Sequence, residues 1–204
     1  MKQVIVPQVD ALGPGDPILL PRLELREAIM SVLVSSSVFV SAPPATGKST
    51  LGNLLYLDLV RKGDICVQIT AKNMDLTGIE SEKFDPMPTV LSQITVRLQV
   101  AGIIPHDHRV LQGWSDLNVI AHSSKTKRFI VMLDEAHYLY RTKHDPFWTR
   151  VLKADQLGDG TVVRVLAFAS HRSANRTGVS PDGAHKVCTL CSKVLTPSHL
   201  LFWL

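Results

Sequence analysis

The sequence of 204 residues has few cysteines and no long apolar run. Its three cysteines, Cys66, Cys188 and Cys191, are an odd and small set, which argues against a secreted disulfide framework and favours a reducing compartment. No stretch reaches the roughly 18 uninterrupted apolar residues that span a bilayer. Residues Met1 to Val6 lack the apolar segment of a signal peptide. We therefore expect a soluble, intracellular protein without a membrane partner.

The chain also lacks a strong excess of charge of either sign. Lys and Arg total 22 against 18 Asp and Glu, which gives a net charge of +4 with His neutral. Without a dense basic cluster this mild excess does not point to nucleic acid, and binding to DNA or RNA stays an open alternative. The apolar fraction of 45% and charged fraction of 20% are those of a folded protein. The length suits one α/β domain with a sizeable core.

Apolar periodicity predicts an alternation of strands and helices after an irregular start. Residues 1–22 are broken repeatedly by Gly and Pro and are predicted to be a lead-in, followed by a domain at 23–173 and a loop-rich tail at 174–204. The predicted strands are 38–40, 65–70, 129–133 and 162–169, and the predicted helices are 23–33, 49–61, 89–100, 110–121 and 147–154. This alternation predicts a mainly parallel sheet with right-handed crossovers and helices on both faces.

A candidate phosphate loop lies between the first predicted strand and the helix after it. Residues 42–49 read Ala-Pro-Pro-Ala-Thr-Gly-Lys-Ser. Such a loop surrounds anionic oxygens with backbone N–H groups and the positive end of a helix. Lys48 is expected to reach the terminal phosphates, and Ser49 to offer its hydroxyl to Mg²⁺. The predicted nucleotide contacts in this loop are Ala45, Thr46, Gly47, Lys48, Ser49 and Thr50.

The loop departs from the usual pattern at its first position. Glycine is usual there, whereas this chain has Ala42. Pro43 and Pro44 lack backbone donors, so the N–H groups must come from residues 45–49. The alternative is a strand, turn and helix that contain Gly-Lys-Ser without a phosphate function.

An acidic pair follows the third predicted strand. The apolar run ends at Asp134 and Glu135, which the strand would deliver to the carboxyl edge of the sheet, where ligands of open α/β folds bind. Asp134 is expected to hold the Mg²⁺ shell, and Glu135 to orient and polarise the attacking water. The alternative is that both residues complement the dipole at a helix N-terminus. His137 completes Asp-Glu-Ala-His, a string shared with one helicase group, but we favour a structural role for it over a sensor role.

Further candidates follow the fourth predicted strand. Ser170 and His171 stand where a polar residue of a nucleotidase senses the γ-phosphate, and Ser170 is the predicted nucleotide contact. Arg172 and Arg176 would neutralise charge on the transferred group, or lie solvated in a loop. Cys188 and Cys191 form one Cys-x-x-Cys pair, and a zinc site would need His185 and His199 to complete it, so we do not predict zinc.

Together these motifs resemble the P-loop nucleotidase domain of the Crinkler effectors and the related retrotransposon hot spot proteins. The matching residues are Ser41 to Thr50, Phe129 to Tyr140, Phe147-Trp148 with Lys153, and Val162 to Ser170. Most of these are shared with ATPases of the AAA and STAND kinds. The resemblance implies a three-layer P-loop NTPase fold of the ASCE type, truncated at the C-terminus, that uses ATP or GTP with Mg²⁺.

The same resemblance implies roles for residues and partners. Lys48 and Glu135 would be catalytic, and Ser49 and Asp134 would hold the metal. Relatives of this kind place the ATPase core beside a nuclease-like domain and are often delivered into host cells and nuclei. This chain lacks the delivery segment and has no room for the full nuclease, so those functions are not carried over.

Three functional hypotheses follow from the sequence. The first is Mg²⁺-dependent hydrolysis of ATP or GTP. The second is a nucleotide-dependent switch that barely hydrolyses, which Ala42 and the absence of a C-terminal lid favour. The third is a remnant that binds no nucleotide. Assembly with copies of itself or with a partner protein stays an open alternative under the first two hypotheses.

Overall fold

A parallel β-sheet with helices around it organises the chain. The computed structural model describes residues 23–42, 46–75, 85–124, 128–139, 147–148 and 163–170. Its elements are α1 (Leu23–Leu33), β1 (Val38–Ala42), α2 (Lys48–Arg61), β2 (Ile65–Thr70), α3 (Met87–Val100), α4 (Trp114–Ser123), β3 (Phe129–Asp134) and β4 (Val163–Ser170), with 3₁₀ turns at Ala71–Asn73 and Ala136–Leu139. The strand order is β1-β4-β3-β2, and every neighbouring pair is parallel.

This order confirms the predicted α/β fold with a parallel sheet. The central strands β3 and β4 are apolar along most of their length and buried there, as strands covered on both faces must be. β4 lies between β1 and β3, so one additional strand separates the strand before the phosphate loop from the strand before the acidic pair. That separation is the defining feature of the ASCE arrangement.

A buried ion pair fixes where β2 and β3 begin. Arg128 donates from Nε to Oδ1 of Asp64 at 3.1 Å and from Nη2 to Oδ2 at 2.6 Å, and the Asp64 side chain is fully buried. The Ile65 N–H also donates to the Arg128 carbonyl at 3.1 Å. The resulting register pairs Thr70 with Asp134, so the two strands end level at the carboxyl edge of the sheet.

Helix α2 faces the sheet at Gly52, where the space would hold a methyl group in ordinary contact. A Cβ atom at Gly52 would lie 3.4 Å from Phe168 Cε2 and 3.7 Å from Met132 Cε, so a longer side chain would push the helix outward. On its outer side, Arg26 of α1 donates from Nε to Asp58 at 2.9 Å. These contacts set the position of the first turn of α2, where the phosphate loop ends.

The predicted elements that fall within the described residues are confirmed in type, with shifted ends. α3 begins at Met87 rather than at residue 89, because Pro88 fits a first helical turn, where no backbone donor is needed. The predicted helix at 110–121 is confirmed as α4, but its predicted start at Val110 was wrong, since α4 begins at Trp114. The Leu111 N–H donates to Thr95 Oγ1 at 3.1 Å and the Gln112 N–H to Asp116 Oδ2 at 2.8 Å, so both donors have partners outside a helix.

Several predictions fall on residues outside the described ranges. The predicted helix at 147–154 is described only at Phe147 and Trp148, and Trp148 packs edge-on against Phe39 of β1 with ring centroids 6.0 Å apart. The lead-in at 1–22 and the tail at 174–204 also lie outside, as do the further candidates His171, Arg172, Arg176, His185, Cys188, Cys191 and His199. None of the helices described has both the length and the apolar character to cross a bilayer.

Candidate functional site

The carboxyl ends of three strands and the start of α2 meet at one edge of the sheet. β1 ends at Ala42, β4 at Ser170 in register with it, and β3 at Asp134. α2 begins at Lys48, with five residues between it and the end of β1. Because strands in a parallel sheet point the same way, this edge collects the two sequence motifs although they lie far apart in the chain.

The candidate phosphate loop ends in a left-handed glycine at the start of α2. Gly47 has φ 75° and ψ 30°, a conformation that side chains disfavour, and its carbonyl accepts the first helical hydrogen bond from Leu51 N–H at 3.0 Å. The first turn of α2 contains no acidic residue of its own, and the positive end of its dipole lies where the candidate phosphate loop ends. Such a helix start binds anions. Ala45, a predicted contact, lies outside the described residues.

Lys48 is buried at the start of α2. Its side chain is only 8% exposed, and Nζ donates to the Ala42 carbonyl at 3.1 Å. Burial lowers the pKa of Lys48 below its ordinary value, while the negative charges of Glu135 and Asp134 oppose that change. The ammonium group is thus kept out of bulk water beside two carboxylates, where it would interact strongly with an incoming anion.

Ser49 and Asp134 form the direct link between the two motifs. Ser49 Oγ donates to Asp134 Oδ2 at 3.0 Å across 85 positions of sequence. A hydroxyl and a carboxylate at this distance suit Mg²⁺, which takes hard oxygen ligands, few of them from protein, and keeps several waters. The two residues predicted to hold the metal are therefore brought together. Thr46 and the exposed Thr50 flank the same helix start.

Glu135 follows Asp134 in an unusual backbone conformation. Its φ is +54°, in the left-handed region that residues with a Cβ disfavour. Its own N–H donates to Asp134 Oδ1 at 2.9 Å, and its carbonyl accepts from Tyr138 N–H at 3.0 Å. These two bonds close a tight turn at the end of β3 and fix the point from which the Glu135 side chain leaves.

His137 joins the site in a way that sequence reasoning did not anticipate. Its Nδ1 atom lies 3.1 Å from Glu135 Oε2 and accepts from Ser170 N–H at 3.4 Å. Its ring lies 4.5 Å from the ring of Tyr138. The predicted γ-phosphate residue Ser170 thus contacts the acidic pair through His137. The only signal for this in the sequence was the short Asp-Glu-Ala-His string.

An open groove of about 590 Å³ extends from the acidic pair along β2. Tyr56 of α2 and Arg97 of α3 line it, and Lys72 and Asn73 lie on it where β2 ends. In the described sheet β2 is an edge strand, so the groove follows backbone that pairs on one side only. No motif marked these residues in the sequence, because they meet only through the packing of α2 and α3 around β2.

No protein-family model matches the chain, and no curated protein matches it by sequence. Solved structures similar to it include the Walker-type ATPase PABY2304 of Pyrococcus abyssi, with 16% identity and a TM-score of 0.43 over 72% of this chain and 44% of that one. Drosophila ORC bound to AT-rich DNA and Cdc6 is also similar, with 14% identity and a TM-score of 0.42 over 74% of this chain and 47% of that one. So is C. elegans PCH-2, with 17% identity and a TM-score of 0.41 over 78% of this chain and 36% of that one. The chain spans less than half the length of each of these proteins.

Proposed function

We propose that this chain binds ATP or GTP together with Mg²⁺ and hydrolyses it. The observation that carries the proposal is the Ser49–Asp134 hydrogen bond beside the buried Lys48 at the start of α2. A chance Gly-Lys-Ser sequence would have no reason to meet an acidic pair 85 residues away. A phosphate site with its metal ligands requires that meeting.

Each residue has a distinct task in this proposal. The N–H groups from Ala45 to Thr50 and the Lys48 ammonium hold the phosphates. Ser49 and Asp134 hold Mg²⁺, which when bound neutralises charge that develops on the phosphate oxygens. Glu135 accepts a proton from the attacking water, and Ser170 stands beside the terminal phosphate.

The first experiment measures Mg²⁺-dependent nucleotide binding and then phosphate release from the same samples. Lys48→Ala is expected to lose binding, because it removes the buried cation at the helix start. Lys62→Ala is the matched control, since Lys62 is an exposed lysine at the other end of α2. A wild-type chain that binds no nucleotide would overturn the proposal and favour the remnant hypothesis.

A second variant separates binding from chemistry. Glu135→Gln keeps the size of the side chain but removes the proton acceptor, so we expect it to retain nucleotide while turnover falls by about 10²-fold or more. Trapped nucleotide in the variant and phosphate release in wild type would be measured together. Equal turnover in the two proteins would remove Glu135 from the mechanism.

A nucleotide-dependent switch with little hydrolysis is the second candidate function. The observation that favours it is the contact between the Glu135 carboxylate and His137, which engages the proposed base with protein instead of water. A switch would bind nucleotide at low turnover and use the groove along β2 to engage a partner protein or another copy of the chain. Turnover that rises steeply with protein concentration would favour a catalytic oligomer over the switch.

The resemblance to the Crinkler nucleotidase domain adds a proposal about cellular context. A chain of that kind would work in a host nucleus, and the nuclease function of those relatives is not part of this proposal. Imaging of a tagged chain expressed in host cells tests this, and exclusion from nuclei would count against it.

A further inference from the structure

A single ring nitrogen of His137 lies within hydrogen-bonding distance of two groups of opposite character. Ser170 N–H is a donor at 3.4 Å from Nδ1, and Glu135 Oε2 is an acceptor at 3.1 Å from the same atom. Ser170 ends β4, whereas Glu135 follows the end of β3. His137 therefore lies between the residue proposed beside the terminal phosphate and the residue proposed to activate water.

The two contacts cannot both be good hydrogen bonds at one time. If the ring proton is on Nε2 alone, Nδ1 has a lone pair that accepts from Ser170 N–H and repels the carboxylate. If Nδ1 carries a proton, it donates to Glu135, and Ser170 N–H must find another acceptor. Movement of one proton within the ring thus exchanges one partner for the other.

The backbone around His137 is held in place, so the exchange of hydrogen-bond partners involves side chains and not backbone movement. The backbone of Glu135 is held on both sides, by Asp134 Oδ1 and by Tyr138 N–H. His137 itself is only 12% exposed, and the Tyr138 ring packs beside it. Because the turn is fixed and the imidazole is largely enclosed, Nδ1 is a fixed point against which the Glu135 carboxylate can be oriented.

We propose that His137 is a positioning residue that transmits occupancy at Ser170 to Glu135. This inference rests on the proposed function. A terminal phosphate oxygen accepts the Ser170 N–H, Nδ1 then carries the ring proton, and Nδ1 donates to Glu135 Oε2. The carboxylate is thereby oriented only when a triphosphate is present, and it is released when the terminal phosphate leaves.

The direct test follows the ring nitrogens by ¹⁵N NMR in the wild-type chain, with the His137 signals assigned from their loss in His137→Asn. The probes are a non-hydrolysable triphosphate analogue with Mg²⁺ and the corresponding diphosphate. We expect the Nδ1 signal to move from the unprotonated to the protonated position with the triphosphate only. A ring that is unchanged while the analogue binds overturns this inference alone. A failure to bind either nucleotide overturns the proposed function as well.

Kinetics provide the second arm of the test. His137→Phe keeps a ring beside Tyr138 but removes both nitrogens, so we expect kcat to fall about tenfold with unchanged nucleotide affinity. His137→Asn places an amide near the position of Nδ1 and is expected to recover most of the loss. In a Glu135→Gln background the Phe change should have no further effect on single-turnover rate. An equal loss in both backgrounds, or a loss of affinity instead of kcat, would assign His137 a structural role.

Discussion

The left-handed backbone of Glu135 has an energetic cost at the centre of the proposed site. Among the described residues it is the one non-glycine residue with positive φ, at +54°. Conformations of this kind cost roughly 1–3 kcal/mol and persist where the surroundings impose them, often at functional sites. Here the side chain of Asp134 and the N–H of Tyr138 impose the turn.

Glycine at position 135 should relieve this strain. We expect the free energy of unfolding of Glu135→Gly to exceed that of Glu135→Ala by about 1 kcal/mol. Glycine adopts positive φ without a steric penalty, whereas alanine retains the penalty of its Cβ atom. Both variants remove the carboxylate, so the comparison isolates the backbone. Urea unfolding of the two proteins measures the difference, and an alanine variant at least as stable as the glycine variant would contradict it.

At the scale of elements, helix α3 organises the connection that leads to α4. Thr95 is 2% exposed; its Oγ1 donates to the Leu91 carbonyl at 2.8 Å and accepts from Leu111 N–H at 3.1 Å. One turn later, Gln99 Nε2 donates to the carbonyls of His106 and His108 at 2.9 and 3.1 Å. Polar side chains of α3 thus form hydrogen bonds with backbone groups of the connection between α3 and α4. The connection is therefore not helical at these residues, and α4 begins only after it.

Removal of the Thr95 hydroxyl should destabilise this connection. Thr95→Val keeps the shape of the side chain but leaves the buried Leu111 N–H without its acceptor, which we expect to cost about 2 kcal/mol of unfolding free energy. Thr95→Ser keeps the hydroxyl and should cost about half as much, through the lost methyl group. Chemical denaturation of the two variants beside wild type is the measurement. A serine variant less stable than the valine variant would contradict the role of the hydroxyl.

The carboxyl edge of the sheet brings together two motifs that are distant in sequence, the start of α2 and the acidic pair. Because both motifs meet only in the folded state, a ligand that binds them should stabilise the entire fold. A ligand that binds only the folded state adds RT ln(1 + [L]/Kd), or about 2.7 kcal/mol at a hundredfold excess over Kd. For a domain of this size that shift corresponds to a rise in Tm of roughly 5–10 °C.

We therefore expect Mg²⁺ with ATP or GTP to raise Tm in a thermal melt, and Asp134→Asn to lose most of the rise. The variant weakens the metal ligand and leaves Lys48 and the helix start intact. Lys62→Ala should retain the full shift. An equal shift for wild type and Asp134→Asn would show that the nucleotide binds without this metal ligand.

The sequence predicted what depends on local pattern. Lys48 and Ser49 follow a strand and open a helix, and Asp134 and Glu135 end an apolar strand, so motif and periodicity were sufficient for the core of the site. The strand order was not predictable in the same way, because a parallel sheet of four strands allows several orders with the same alternation. The His137 contacts depend on the turn after β3, and its left-handed residue leaves no mark in the pattern of apolar positions.

The strand order also determines when each strand can find its partner during biosynthesis. In the described sheet β1 pairs only with β4, and Ser37 Oγ accepts from Val165 N–H across 128 positions. The ribosome adds about 5–20 residues per second, so β1 waits on the order of ten seconds for its partner. During that interval the apolar residues Val38, Phe39 and Val40, which are buried on both faces of the finished sheet, have no strand beside them. The strand that leads into the candidate phosphate loop is therefore synthesised well before the strand that pairs with it.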